Sequence, residues 1–184
     1  AGLALLLSAC SEQSSAPEMA ESTAETYTYT EVEGWLTPPP GQATLGDQHG
    51  DIEVDKAGNV YVSVMGEPKG VQIYSADGKY IGNVKDAPNT YHDFIIHEDS
   101  NGIEYIYGAE LDGQYINKTT LDGEMLLRID ALATIPAQYQ KDGVAGLSLT
   151  GTAVAANGDI YVVDGYGMDY IHRYDSMGNY ITSF

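Results

Sequence analysis

From position 49 onward, apolar residues either alternate with polar ones or run in groups of four or five, and a turn glycine interrupts them about every ten to twelve residues. Val60 to Val64, Ile160 to Val163 and Ile171 to Tyr174 are short runs rich in β-branched and aromatic residues, each bounded by Asp-Gly, Asn-Gly or similar pairs. A period of two and β-branched runs of this length predict strands, and the glycine pairs supply the positive φ angles of tight hairpins. A helical period is missing nearly everywhere. Only Asp130 to Gln140 (DALATIPAQYQ) has room for a short helical turn, which Pro136 limits.

The strand pattern occurs three times, over His49–Val84, His92–Ile129 and Thr150–Phe184. Each copy carries two turn glycines, Gly58/Gly78, Gly102/Gly123 and Gly158/Gly178, separated by 20, 21 and 20 residues. The first copy reads as Asp51–Val54, Val60–Val64, Val71–Ser75 and Tyr80–Val84. The third reads as Ala153–Ala155, Ile160–Val163, Ile171–Tyr174 and Tyr180–Ser183. A period near 40 with four strands per unit predicts an all-β chain of β-propeller blades. Tyr61, Tyr105 and Tyr161 follow the first glycine by three residues; Tyr80, Met125 and Tyr180 follow the second by two. Both sets are expected to pack between neighbouring sheets. The insertion after the second copy, Asp130 through Leu149, is expected on one rim. Three blades do not close a ring, so the chain reads as the N-terminal half of a longer, monomeric propeller.

Charge narrows the partners. Twenty-seven acidic against eight basic residues give a formal charge of −19. This argues against nucleic acid, which needs clustered Lys and Arg, and against electrostatic attachment to anionic lipid. The first ten residues are a targeting signal rather than fold. Leu3 to Ala9 is an apolar run ending in Leu7-Ser8-Ala9-Cys10, and Cys10 is the single cysteine. Residues 11–31 are acidic, polar and poor in large aliphatics, a composition expected of a flexible tether. The propeller portion is expected over 32–184.

The Leu-Ser-Ala-Cys motif resembles the lipobox of bacterial lipoproteins. The resemblance implies lipidation of Cys10, a chain that starts inside its signal, and a membrane anchor. Ser11 in place of aspartate points to the outer membrane. The pattern from Val154 to Phe184, VxxxGxxYVVDGYGxxxIHRYDxxGxYIxxF, resembles an NHL repeat, the unit of six-bladed propellers. More narrowly, Asp164-Gly165-Tyr166 and the run from His49-Gly50 through Val54-Asp55 and Gly58-Asn59 to Val62 resemble peptidyl-α-hydroxyglycine α-amidating lyase and related bacterial propellers.

That resemblance implies His49 and His92 as zinc ligands and Tyr166 as a catalytic base. It also implies a structural calcium, for which Asp51, Asp93 and Asp164 are the carboxylates near the channel. The same aspartates would equally serve to cap strand ends and turns. The third copy opens on Thr150-Gly151 without a histidine, and Arg128 and Arg173 are the only arginines. His97 and His172 are expected at outer or turn positions in contact with solvent. Two functions are therefore expected: a ligand- or protein-binding module anchored at the membrane, or, as the alternative, a zinc-dependent lyase.

Overall fold

Sequential antiparallel hairpins organise the chain. A computed structural model describes residues 28–48, 50–65, 70–141 and 146–184. Cys10, most of the tether and His49 lie outside these residues. Contacts gather Glu33–Phe184 into one unit. Its strands are β1 (Ile52–Val54), β2 (Val60–Val64), β3 (Gly70–Tyr74), β4 (Tyr80–Asn83), β5 (Tyr91–Glu98), β6 (Glu104–Glu110), β7 (Tyr115–Thr120), β8 (Met125–Asp130), β9 (Gly151–Val154), β10 (Ile160–Val163), β11 (Ile171–Tyr174) and β12 (Tyr180–Ser183). They form three four-stranded sheets, each antiparallel and in sequence order.

One turn builds six hairpins, those joining first to second and third to fourth strands in each sheet. Residue X, three before the glycine, accepts the glycine's N–H, and the N–H of X donates to the carbonyl of X+4; X is Asp55, Ser75, Asp99, Thr120, Ala155 or Asp175. All six glycines have φ between +78° and +97°, a region costly for any residue with a Cβ. Side chains reinforce the turn. Asp55, Asp99 and Asp175 accept from backbone N–H groups further round it, and Ser75 and Thr120 do so through their hydroxyls. The sheets also share a bulge between third and fourth strands, at Ile73/Tyr74, Lys118/Thr119 and Arg173/Tyr174.

Three apolar clusters link the sheets. Val60, Val62, Val64 and Tyr74 of the first sheet pack under Leu36 and Leu45 of the preceding segment. Its other face, with Tyr61 and Val71, meets Phe94 and Ile106 of the second sheet. The second sheet in turn packs Tyr107, Ala109 and Ile116 against Ile160, Val162 and Tyr174 of the third. β1 lies against β5, and β5 against β9. First strand therefore neighbours first strand, an arrangement compatible with propeller blades.

Two expectations need correcting. Met125 is 45% exposed and not packed between sheets, because β8 begins on a solvent-facing rim where Leu126 is 46% exposed too. The insertion is more than a rim feature. Asp130 caps a four-residue helix α1 (Ala131–Thr134), which ends before Pro136 and is followed by a 3-10 turn at Ala137–Tyr139. Ala131, Ile135, Leu147 and Leu149 are buried in the cluster between the second and third sheets. Among the described residues no helix is long and apolar enough to cross a membrane.

Candidate functional site

The starts of the first strands place several of the expected residues side by side. Asp51 directly precedes β1, His92 and Asp93 are the second and third residues of β5, and Thr150 directly precedes β9. Tyr166 comes from the loop between β10 and β11. His92 Nδ1 lies 3.1 Å from the Thr150 carbonyl oxygen, and His92 Nε2 lies 3.0 Å from the Tyr166 hydroxyl. The rings meet edge to face with centroids 5.2 Å apart.

A carbonyl only accepts, so Nδ1 carries the proton. Nε2 then presents its lone pair to the Tyr166 O–H. The third cassette, which lacks a histidine at its opening, thus contributes a backbone carbonyl that fixes the tautomer of the second cassette's histidine. Tyr166 itself is 60% exposed.

Beside this pair, Asp93 joins all three first strands. Its Oδ2 accepts from the Thr152 hydroxyl at 2.9 Å and from the Thr152 N–H, and the Asp51 carboxyl lies close enough to act on it. Burial, then the contact with Asp51, pushes the Asp93 carboxyl above the usual carboxylate range. Glu53 is raised as well, first by burial and then by the Asp51 charge. A carboxyl raised in the fold binds its proton more tightly there than in the unfolded chain. Its stabilisation is complete below the ordinary value of 3.8 and fades as pH rises through the raised value. Asp93→Asn keeps an oxygen for Thr152 and offers an N–H to Asp51. Near neutral pH it should therefore be more stable than the parent by about 1 kcal/mol, the net worth of one hydrogen bond. Urea unfolding at pH 7.5 and pH 4 checks this, with the gap closing at the lower pH.

Asp164 is fully buried. Its carboxylate accepts from the Ser148 and Met168 N–H groups, and its carbonyl from the Gly167 and Asp169 N–H groups. A Cβ on Gly167 would sit 2.2 Å from both carboxylate oxygens, so the loop wraps the side chain closely. Turn capping describes Asp164, and its carboxylate positions the loop that carries Tyr166.

His172 departs from expectation: it has no exposed surface. It shares a sheet face with Tyr174, which the insertion covers, since Tyr174 hydrogen-bonds Thr134. His172 Nδ1 meets Ser183 Oγ at 2.7 Å, and Nε2 has no hydrogen-bond partner among the described residues. Burial holds its pKa below the usual 6.5, opposed by the Asp164 charge. The stabilisation from the neutral ring is complete above 6.5 and is lost as pH falls through the depressed value. Unfolding free energy measured from pH 7.5 to pH 5 should fall for the parent chain and lose that part of its slope in His172→Gln. His97 is half-buried, edge to face with Tyr107 at 6.0 Å.

Among the described residues, which do not include His49, the donor set for a metal is incomplete. Among the described residues no three His, Cys, Asp or Glu side chains gather as a metal site. For His92 to bind zinc, its Nε2 lone pair would have to leave Tyr166. The Asp164 oxygens accept from backbone amides, and Asp93 Oδ2 accepts from Thr152. No reaction step through zinc or calcium follows from these residues. Thr150 and Thr152 were not singled out as site residues by sequence; Thr150 opens the third cassette, where the first two open on His49 and His92.

No family model matches the chain, and neither does any curated protein. Among solved structures it is similar to the crystal structure of a protein of unknown function from Bacteroides caccae, with 13% identity and a TM-score of 0.33. The match covers 75% of this chain and 66% of that one, so the chain spans just under two thirds of that protein's length.

Proposed function

We propose that this chain is a binding module: an NHL-type propeller portion, exported and anchored through lipidated Cys10 at the outer membrane, that takes a neutral or cationic ligand or protein segment where its first strands begin. The observation that carries this reading is the His92–Tyr166 hydrogen bond beside the Asp51–Asp93 pair. An exposed aromatic ring held by a hydrogen bond offers a rigid contact surface at little entropic cost. The neighbouring carboxyls and the charge of −19 favour a partner without negative charge. The repeated antiparallel sheets with adjacent first strands support the propeller reading, and the apolar run ending at Cys10 supports the anchor.

A second reading, a zinc-dependent lyase, draws support from one fact. Tyr166 and His92, the residues that the lyase resemblance assigns to base and metal, touch across 74 positions of sequence. Metal analysis and ligand screening separate the two. Full-length protein without bound zinc, stabilised by a cationic or neutral peptide in the parent but not in Tyr166→Ala, supports the binding module. One equivalent of zinc that disappears in His92→Ala replaces it with the lyase. A peptide series that stabilises both proteins equally contradicts the assigned site.

A further inference from the structure

A second cavity lies roughly 17 Å along β5 from His92, at the rise of an extended strand. It opens between the second and third sheets with a volume of about 420 Å³, lined by His97, Glu98, Asp99, Tyr107, Lys118, Asn157, Gly158 and Ser176 among others. Lys118 is the anomaly. It lies five residues before its second turn glycine, as do Ile73 and Arg173 in the other cassettes. Ile73 packs into the cluster between the first and second sheets. Arg173 pairs with Asp159 through Nε at 2.8 Å.

Lys118 has neither arrangement. Its ammonium stands 4.1 Å from the Tyr105 ring centroid and 5.3 Å from that of Tyr107. Among the described residues it makes no hydrogen bond or ion pair. A lysine held on two aromatic faces has lost rotamer freedom and part of its hydration while its three N–H donors stay unspent. His97, edge to face with Tyr107, lines the same wall.

The two carboxylates on the rim are already engaged. Glu98 pairs with Lys56 at 2.7 Å, and Asp99 accepts the Asn101 and Ile103 N–H groups of its own turn. The Asp99 charge is felt by Lys118 and offsets it in part, but neither carboxylate makes an ion pair with the ammonium, and together they oppose any ligand carrying two negative charges. Tyr107 offers an apolar wall, while Asn157 and Ser176 offer polar groups from the facing turns.

We propose that this cavity binds a small monocarboxylate with an apolar or aromatic body, its carboxylate on Lys118 and its body against Tyr107. The proposal is independent of the site at His92 and of the function assigned there.

Isotope-labelled full-length protein titrated with benzoate, benzamide and benzylammonium tests it. Benzoate should bind saturably and shift the resonances of Lys118, His97 and Tyr107. Benzamide should bind at least ten-fold more weakly, and benzylammonium should not shift those resonances. Lys118→Gln should remove the preference for benzoate over benzamide, and Lys118→Arg should retain it. The discrimination is read on the parent chain, so it stands whether or not the glutamine variant folds. Equal binding of benzoate and benzamide, or benzoate shifts that avoid Lys118 and His97, would overturn the proposal.

Discussion

Gly78→Ala is expected to destabilise the protein by about 2–4 kcal/mol, from a left-handed backbone cost of about 1–2 kcal/mol and a similar cost of overpacking. Gly78 has φ +78°, and a Cβ there would sit 1.8 Å from the Trp35 carbonyl oxygen. The segment cannot simply step aside, because Thr37 N–H donates to the Gly78 carbonyl at 2.8 Å, and Leu36 and Leu45 of the same stretch cover the first sheet. Gly58 is the internal control. Its φ of +84° is equally left-handed, but the nearest atom to a Cβ is that of Ala76 at 3.4 Å, an ordinary contact. Gly58→Ala should therefore lose only the conformational part, about 1–2 kcal/mol. Urea unfolding of both variants separates the terms. Equal losses would mean that the segment from Trp35 to Leu45 does not dock as described.

The other large effect belongs to Asp164. Its removal in Asp164→Ala leaves the Ser148 and Met168 amides without their acceptor, at about 1–3 kcal/mol each. A total near 3 kcal/mol is expected, with the loop holding Tyr166 released as well. Asp164→Asn retains one acceptor oxygen and should lose about half as much. Chemical denaturation gives the energies, and the Tyr166 ring resonances report the loop. Tyr166 should lose its contact with His92 in the alanine variant even at temperatures where the sheets remain folded.

The turns were legible because their chemistry is local. A left-handed residue closing the turn calls for glycine, and the six glycines located the hairpins between first and second and between third and fourth strands of each sheet. Strand limits shifted by one or two residues, as at β9, which begins at Gly151 and not Ala153, because the ladder and not the composition decides where pairing stops. The surroundings of each side chain were less accessible. His172 reads as an outer-strand histidine until the insertion of Ala131 to Leu149 is seen covering its face.

The same limit applies at the candidate site. His92 and Tyr166 were both named by motif, yet their contact depends on how one sheet sits on the next. Asp51, Asp93 and Thr152 form one link from three cassettes, and no spacing within a single cassette encodes it. Lys118 looks like an ordinary exposed lysine in an alternating strand. Only the standing-off of the turns at Asn157 and Ser176 turns its environment into a cavity.

Successive sheets bring His92 against both Thr150 and Tyr166. Long-range proton–nitrogen correlation of the His92 ring, in the parent and in Tyr166→Phe, tests this most directly. The ring proton should sit on Nδ1, and the Nε2 shift should move when the tyrosine hydroxyl is removed. A ring protonated at Nε2, or an Nε2 signal indifferent to Tyr166→Phe, would contradict it.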